Sequence, residues 1–438
     1  MKSTQNSKLL NHILALAVIT LCVSTSGWAA EKVLHAFKGT DGGEPHSTLI
    51  WDAAGNLYGT TEIGGSTNNG TVFELSRNAD GSWTETVLYN FQGGNDGLAP
   101  WSGLTFDAAG NLYGTTLGGG GSANCGSGGC GTVFKLTKGS GGTWTESILY
   151  AFQGGNDAAE PGNPLVFDAQ GNIYGTTLYG GPTLCNTGCG VLYELTPTAS
   201  GAWTETLLHI FGIGSDGENP MGPLVVDKSG NIFGTTFAGG SSNAGTAYEF
   251  SPVAGGGGNY SIIFNFDGTR GATTGDGPEG GLVADAQGNL YGTAICGGSG
   301  VRQIGWSPCE PAFGYGNVFE LSPSSGGTWT QKVLFTFYGN KNASFPTNPL
   351  LLDASGNIYG TTAFGGNPQG LADWNEGTAF KLTPNANGTY SEVVLRRFIS
   401  GNGGYTPFAG LVFDGQGNLY GTTYYGGARY GTVFEITP

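Results

Sequence analysis

Outside its first thirty residues the chain offers three histidines, six cysteines and a recurrent acidic turn from which chemistry could be built. His35, His46 and His209 lie too far apart in sequence for metal-ligand spacing. No nucleophile elbow, zinc-protease helix or phosphate loop accompanies them. The cysteines fall as local pairs: Cys125 with Cys130, Cys185 with Cys189, and Cys296 with Cys309. In an oxidising compartment this predicts three disulfides, each stapling one loop. Zinc held by cysteine pairs is the alternative, at looser spacing than C-x-x-C. Asp41, Asp96, Asp157, Asp216 and Asp276 recur in glycine-rich turns. Such aspartates accept hydrogen bonds from nearby backbone N–H groups, which is the favoured reading. A ring of carboxylates, with Asp96, Asp157 and Asp216 among its members, would instead suit Ca2+ or a cationic group. One carboxylate per loop is few for calcium, which takes about 6–8 oxygens, and the sequence implies no other cofactor.

Three irregular insertions carry the remaining candidates. They hold Trp306 and Tyr315, then Trp374 and Glu376, then Tyr425 and Tyr430. Indole and phenol rings beside carboxylates can stack on the apolar face of a sugar while the acids bond its hydroxyls, and they serve a protein partner equally well. The alternative is that these rings pack over their own loops.

These residues must be positioned by a repeat. The pattern D-x-x-G-N-[LI]-[YF]-G-T begins at Asp52, Asp107, Asp168, Asp227, Asp285, Asp353 and Asp414. Each unit predicts four short strands: a run ending at the aspartate, a tight turn into L-Y-G-T-T, a variable loop into G-T-V-F-E-L, and a polar turn into a strand ending on phenylalanine. The strand-end residues Phe37, Phe91, Phe152, Phe211, Phe266, Phe337 and Phe398 read as core. Residues 32–37 match only a fourth strand, and residues 431–438 end on a third. The first strand therefore completes the last unit, as in a closed ring. The fold class predicted is all-β: a seven-bladed β-propeller of four-stranded blades closed by the N-terminal strand, with an open β-solenoid as runner-up. Strand alternation places the crossing loops and the second-to-third loops on one face, where a ligand would sit.

Composition agrees. Glycine supplies 84 of 438 residues and aromatics 12%, a balance of tight turns and packed strands rather than a disordered linker. Lys2 and Lys8, the apolar run Leu9–Val23 and the small residues ending at Ala30 have the form of a secretory signal peptide. Residues 1–30 are thus expected to be removed and 31–438 to form one domain, extracellular or periplasmic, without a membrane span. The net charge of −16 argues against nucleic acid or anionic lipid as a partner, and a monomer is expected.

The G-N-L-Y-G-T-T, G-G and G-T-V-F-E-L segments resemble the choice-of-anchor tricyclic tripeptide repeat proteins over essentially the whole chain after residue 30, and the D-x-x-G-N-L-Y part is similar to NHL-type propeller repeats. The first resemblance implies a bacterial exported protein, often held at the surface by a C-terminal sorting signal. This sequence stops at Pro438 without such a tail, so release or periplasmic residence is expected rather than surface anchoring. It implies no catalytic residue. The expected function is a non-catalytic binding or surface-interaction module for a glycan or protein. The alternative is a secreted hydrolase or lyase for carbohydrates or small molecules, using carboxylates at the propeller mouth.

Overall fold

A computed structural model describes residues 29–182, 188–212, 215–253, 256–268, 274–298, 314–339, 343–366, 377–401 and 403–438. It contains seven four-stranded antiparallel sheets arranged in a ring, a seven-bladed β-propeller. In blade 1 the strands are Ile50–Trp51, Leu57–Thr61, Thr71–Arg77 and Trp83–Asn90. Blades 2 to 6 repeat that order. Blade 7 takes Val412–Phe413, Leu419–Thr423 and Thr432–Thr437 from the end of the chain. Its fourth strand is Ala30–Ala36, paired antiparallel from Ala30↔Thr437 to Ala36↔Thr432. The ring closes as the strand offset in the sequence predicts.

Two packing devices hold blade to blade. The fourth-strand phenylalanine of each blade meets the third-strand aromatic of the next, as in Phe91 on Phe134 and Phe152 on Tyr193, with ring centroids 5.1 and 5.2 Å apart. The series runs through Phe398 on Phe434 and returns at Phe37 on Phe73. All seven phenylalanines are buried. Room for the third-strand rings comes from the glycine of Y-G-T: a Cβ on Gly59 would stand 2.6 Å from the Phe73 ring.

The second device is a proline. The glycine opening each third strand has positive φ, 94° at Gly131 and 89° at Gly431. A Cβ there would meet the next blade's proline: Pro161 against Gly131 at 2.6 Å, Pro45 against Gly431 at 2.5 Å. Only glycine tolerates both the conformation and the approach.

The turn aspartates have the structural role expected. Asp52 Oδ1 accepts from the backbone N–H groups of Ala54 and Asn56, and Oδ2 accepts from Asn56 Nδ2 and the Tyr58 hydroxyl. Burial pushes the Asp52 carboxyl up, but these bonds outweigh it and hold it below its ordinary value. Cys125 and Cys130 form a disulfide. Cys189 and Cys296 are each disulfide-bonded, and their expected partners, Cys185 and Cys309, lie outside the described residues. Among the described residues no helix is long and apolar enough to cross a membrane.

Candidate functional site

The interblade proline also aims a side chain at the ring axis. In every blade the residue before it adopts a left-handed backbone: Glu44, Ala99, Glu160, Asn219, Gly277, Phe345 and Thr406, with φ between 53° and 63°. Six of these carry a Cβ, a strain that persists only where surroundings over-determine it. The surroundings do so. Glu160 N–H donates to Cys130 of the previous blade while its carbonyl accepts from Leu178 of its own, and Glu44 is held likewise between Tyr430 and Glu62. The residue after the proline, six before each turn aspartate, is then His46, Trp101, Gly162, Met221, Glu279, Thr347 or Phe408.

These seven residues line a single pocket of about 90 Å³, to which every blade contributes. The framing positions repeat around the ring, but the seven positions carry seven different residue types. Sequence symmetry is thus fully broken at the position where the blades converge. One residue further on, Ser47 and Ser102 accept from the hydroxyls of Thr60 and Thr115, and the Asn163 and Asn348 amides donate to Thr176 and Thr361. Blades 4 and 5 have Gly222 and Gly280 there, and the buried hydroxyls of Thr235 and Thr293 are left without partners.

Two titratable groups line the pocket. Burial drives the His46 imidazole down to about 3, so it is neutral at physiological pH. Its ring stacks with Phe408 at 5.2 Å and meets Trp101 edge-on at 4.5 Å. Glu279 is raised to about 7 by burial alone, and it has no hydrogen bond or ion pair among the described residues. At the blade 7 side of the mouth the Tyr424 hydroxyl donates to Glu44 Oε2 at 2.8 Å and Glu62 Oε2 at 3.1 Å.

The described residues among those predicted from sequence lie outside this pocket. Asp96 accepts from Tyr89 Oη and the backbone of Gln92 and Gly97; Asp157 accepts from Gln153 N–H and Tyr150 Oη; Asp216 meets His209 Nε2 and Tyr260 Oη. These are bonded turns. Tyr425 packs on Tyr405 and Tyr424, Tyr430 lies over Gly39 and Gly43, and Tyr315 lies against Gly339. Trp306, Trp374 and Glu376 fall outside the described residues. None of the described candidates lines the axial pocket. The signal for that pocket was present in the sequence: a proline in every unit, followed by the one position that changes each time.

A second recurrent cluster lies between blades. His35, Asp41 and Glu85 bring ligand atoms within 4.8 Å of one another, the one such group among the described residues. Three ligands fall short of a calcium site. The same fourth-strand position holds Glu146 beside Asp96 and Glu205 beside Asp157. Burial, then the neighbouring aspartate, raises Glu85 and Glu146 to about 7 and Glu205 to about 8.

The Gloeobacter/Verrucomicrobia repeat matches the sequence over residues 19–127 and 121–305, well over half of the chain. The chain belongs to the Gloeobacter/Verrucomicrobia repeat family. In this family member the matched region includes blades 1 to 4, and blades 6 and 7 continue the same motif. No curated protein matches it. Among solved structures it is similar to a candidate 6-phosphogluconolactonase from Bacteroides uniformis, at 14% identity over 84% of this chain and 88% of that one, with a TM-score of 0.50. It is also similar to a fungal alcohol oxidase in complex with copper, at 14% identity over 94% and 76%, with a TM-score of 0.54. At that identity the likeness is one of fold.

Proposed function

We propose that this repeat-family protein is an exported binding module whose ligand approaches the mouth face and places one group in the axial pocket. The carrying observation is the ring of seven different residues on an otherwise repeated frame. A scaffold needs only side chains that fill the axis, and seven like residues would do that; a ligand without sevenfold symmetry needs seven different ones. The pocket, at about 90 Å³, is smaller than the cavity of about 150 Å³ that accepts benzene. It therefore takes an end group, and the rest of a glycan or protein ligand lies across the mouth, with Tyr425 and Tyr430 as further candidates; Trp306, Trp374 and Glu376 remain candidates on sequence alone. Export is supported by the form of residues 1–30, by the Cys125–Cys130 disulfide and by the likeness to choice-of-anchor tricyclic tripeptide repeats.

A second reading, a hydrolase or lyase, draws on Glu279, whose carboxyl at about 7 is poised for proton transfer. Such chemistry usually pairs two carboxyls, and Glu279 is the one carboxyl among the residues lining the pocket. The test is a glycan and small-molecule screen of the oxidised protein, with each hit assayed for turnover and re-measured on Trp101→Ala and on the double variant Tyr425→Ala, Tyr430→Ala. Loss of about tenfold or more in affinity on Trp101→Ala, without turnover, is expected. Affinity that ignores Trp101→Ala but falls in the double variant would move the site to the loops.

A further inference from the structure

The chemistry of the axial pocket points to one class of end group. Among the described residues its lining holds no lysine or arginine. Its imidazole is neutral, so it offers an incoming anion no positive charge. Its carboxyl, Glu279, is half-buried and has no partner among the described residues, and a charge withdrawn from water without compensation is costly. Around it the lining is soft and apolar: the Trp101 and Phe408 rings and the Met221 thioether. Aromatic faces attract cations through their quadrupole, by about 0.5–2 kcal/mol according to desolvation. The acid pair at the rim, Glu44 and Glu62, and the net charge of −16 favour approach by a cation.

We propose that the axial pocket takes an alkylammonium end group, with its charge set against the Glu279 carboxylate and its alkyl part against Trp101, Phe408 and Met221. The proposal rests on the axial site being the binding site. An amine-bearing sugar, a lysine side chain and a free polyamine share this end group. Affinity must follow the protonation of Glu279. Among the described residues the other titratable groups near the site are His46, neutral throughout, the rim groups Glu44, Glu62 and Tyr424, and Glu160, which holds the place of Glu44 in blade 3. Since Glu279 is charged only above about 7, amine binding strengthens as pH rises through that value, whereas a ligand that accepts a hydrogen bond from the protonated acid would weaken.

The experiment compares n-butylammonium with neutral n-butanol by calorimetric titration of the oxidised protein, at about pH 6 and about pH 8, in the wild type and in Glu279→Gln. The expected result is a preference for butylammonium of about tenfold at the higher pH, reduced at the lower and absent in Glu279→Gln. Melting temperatures of the variant at the lower pH confirm that it folds. Equal binding of amine and alcohol, or a preference that survives Glu279→Gln, overturns the proposal. If butylammonium does not bind while screen hits remain sensitive to Trp101→Ala, the amine class is wrong and the axial site stands. If no ligand responds to Trp101→Ala, both readings fall together.

Discussion

Glu85, Glu146 and Glu205 occupy one fourth-strand position in successive blades, and each faces a turn aspartate. Each also has a buried Oε1 without a hydrogen-bond partner. Two adjacent carboxyls cannot both ionise at low cost, so the glutamate keeps its proton. The linkage has a definite sign. A carboxyl raised from 4.5 to about 8, as in Glu205, stabilises the fold fully below the lower value, and that contribution is lost as pH rises through the upper one. Asp52, Asp107, Asp285, Asp353 and Asp414 of the first-to-second turns act oppositely: their depressed carboxyls stabilise above the ordinary Asp range and lose that contribution in acid. Melting temperature is therefore expected to decline between about pH 5 and about pH 8. Glu205→Gln, which keeps a donor toward Asp157 without a second charge, should raise it by about 2 °C or more at the higher pH and flatten the slope. A thermal melt series across pH checks this, and an unchanged slope would show that the pair is well solvated.

At the level of the element, the lock between a third-strand glycine and the next blade's proline does two jobs. It fills the gap between blades, and it fixes the left-handed residue that turns the following side chain to the axis. Gly131→Ala places a Cβ both at a φ of 94° and 2.6 Å from Pro161. The expected loss is about 2–4 kcal/mol, measurable by denaturant unfolding. Trp101 and Met221 flank the residue that follows Pro161 in the ring, so ligand affinity should fall as well. The strand pattern and the hairpin glycines were readable from short-range sequence because each is decided within a few residues. The lock was not, because its two halves belong to different repeats. The glycine looks like turn punctuation until the next blade's proline is placed against it.

For the whole molecule, stability depends on closure. Removal of Ala30–Ala36 would expose the edge of Thr432–Thr437 and strip the Phe37 ring from Phe73. A chain starting after Phe37 is expected to melt well below the full propeller and to aggregate through the exposed edge, as light scattering during the melt would record.

The sequence by itself determined the number of blades, the four strands in each, the phenylalanine core and the return of the first strand to the last blade. All of these follow from a local pattern repeated seven times and from the offset at its ends. It also carried the Cys125–Cys130 pair and the role of the turn aspartates, since Asp52 bonds only to residues within six positions of itself. The tertiary structure alone decided where the blades converge. His46, Trp101, Met221, Glu279 and Phe408 each stand alone in sequence, roughly sixty residues from the next ring position, and no window contains two of them. Their convergence on one pocket, and the unpartnered carboxyl among them, exist only once seven separate crossing loops have been brought to a common axis.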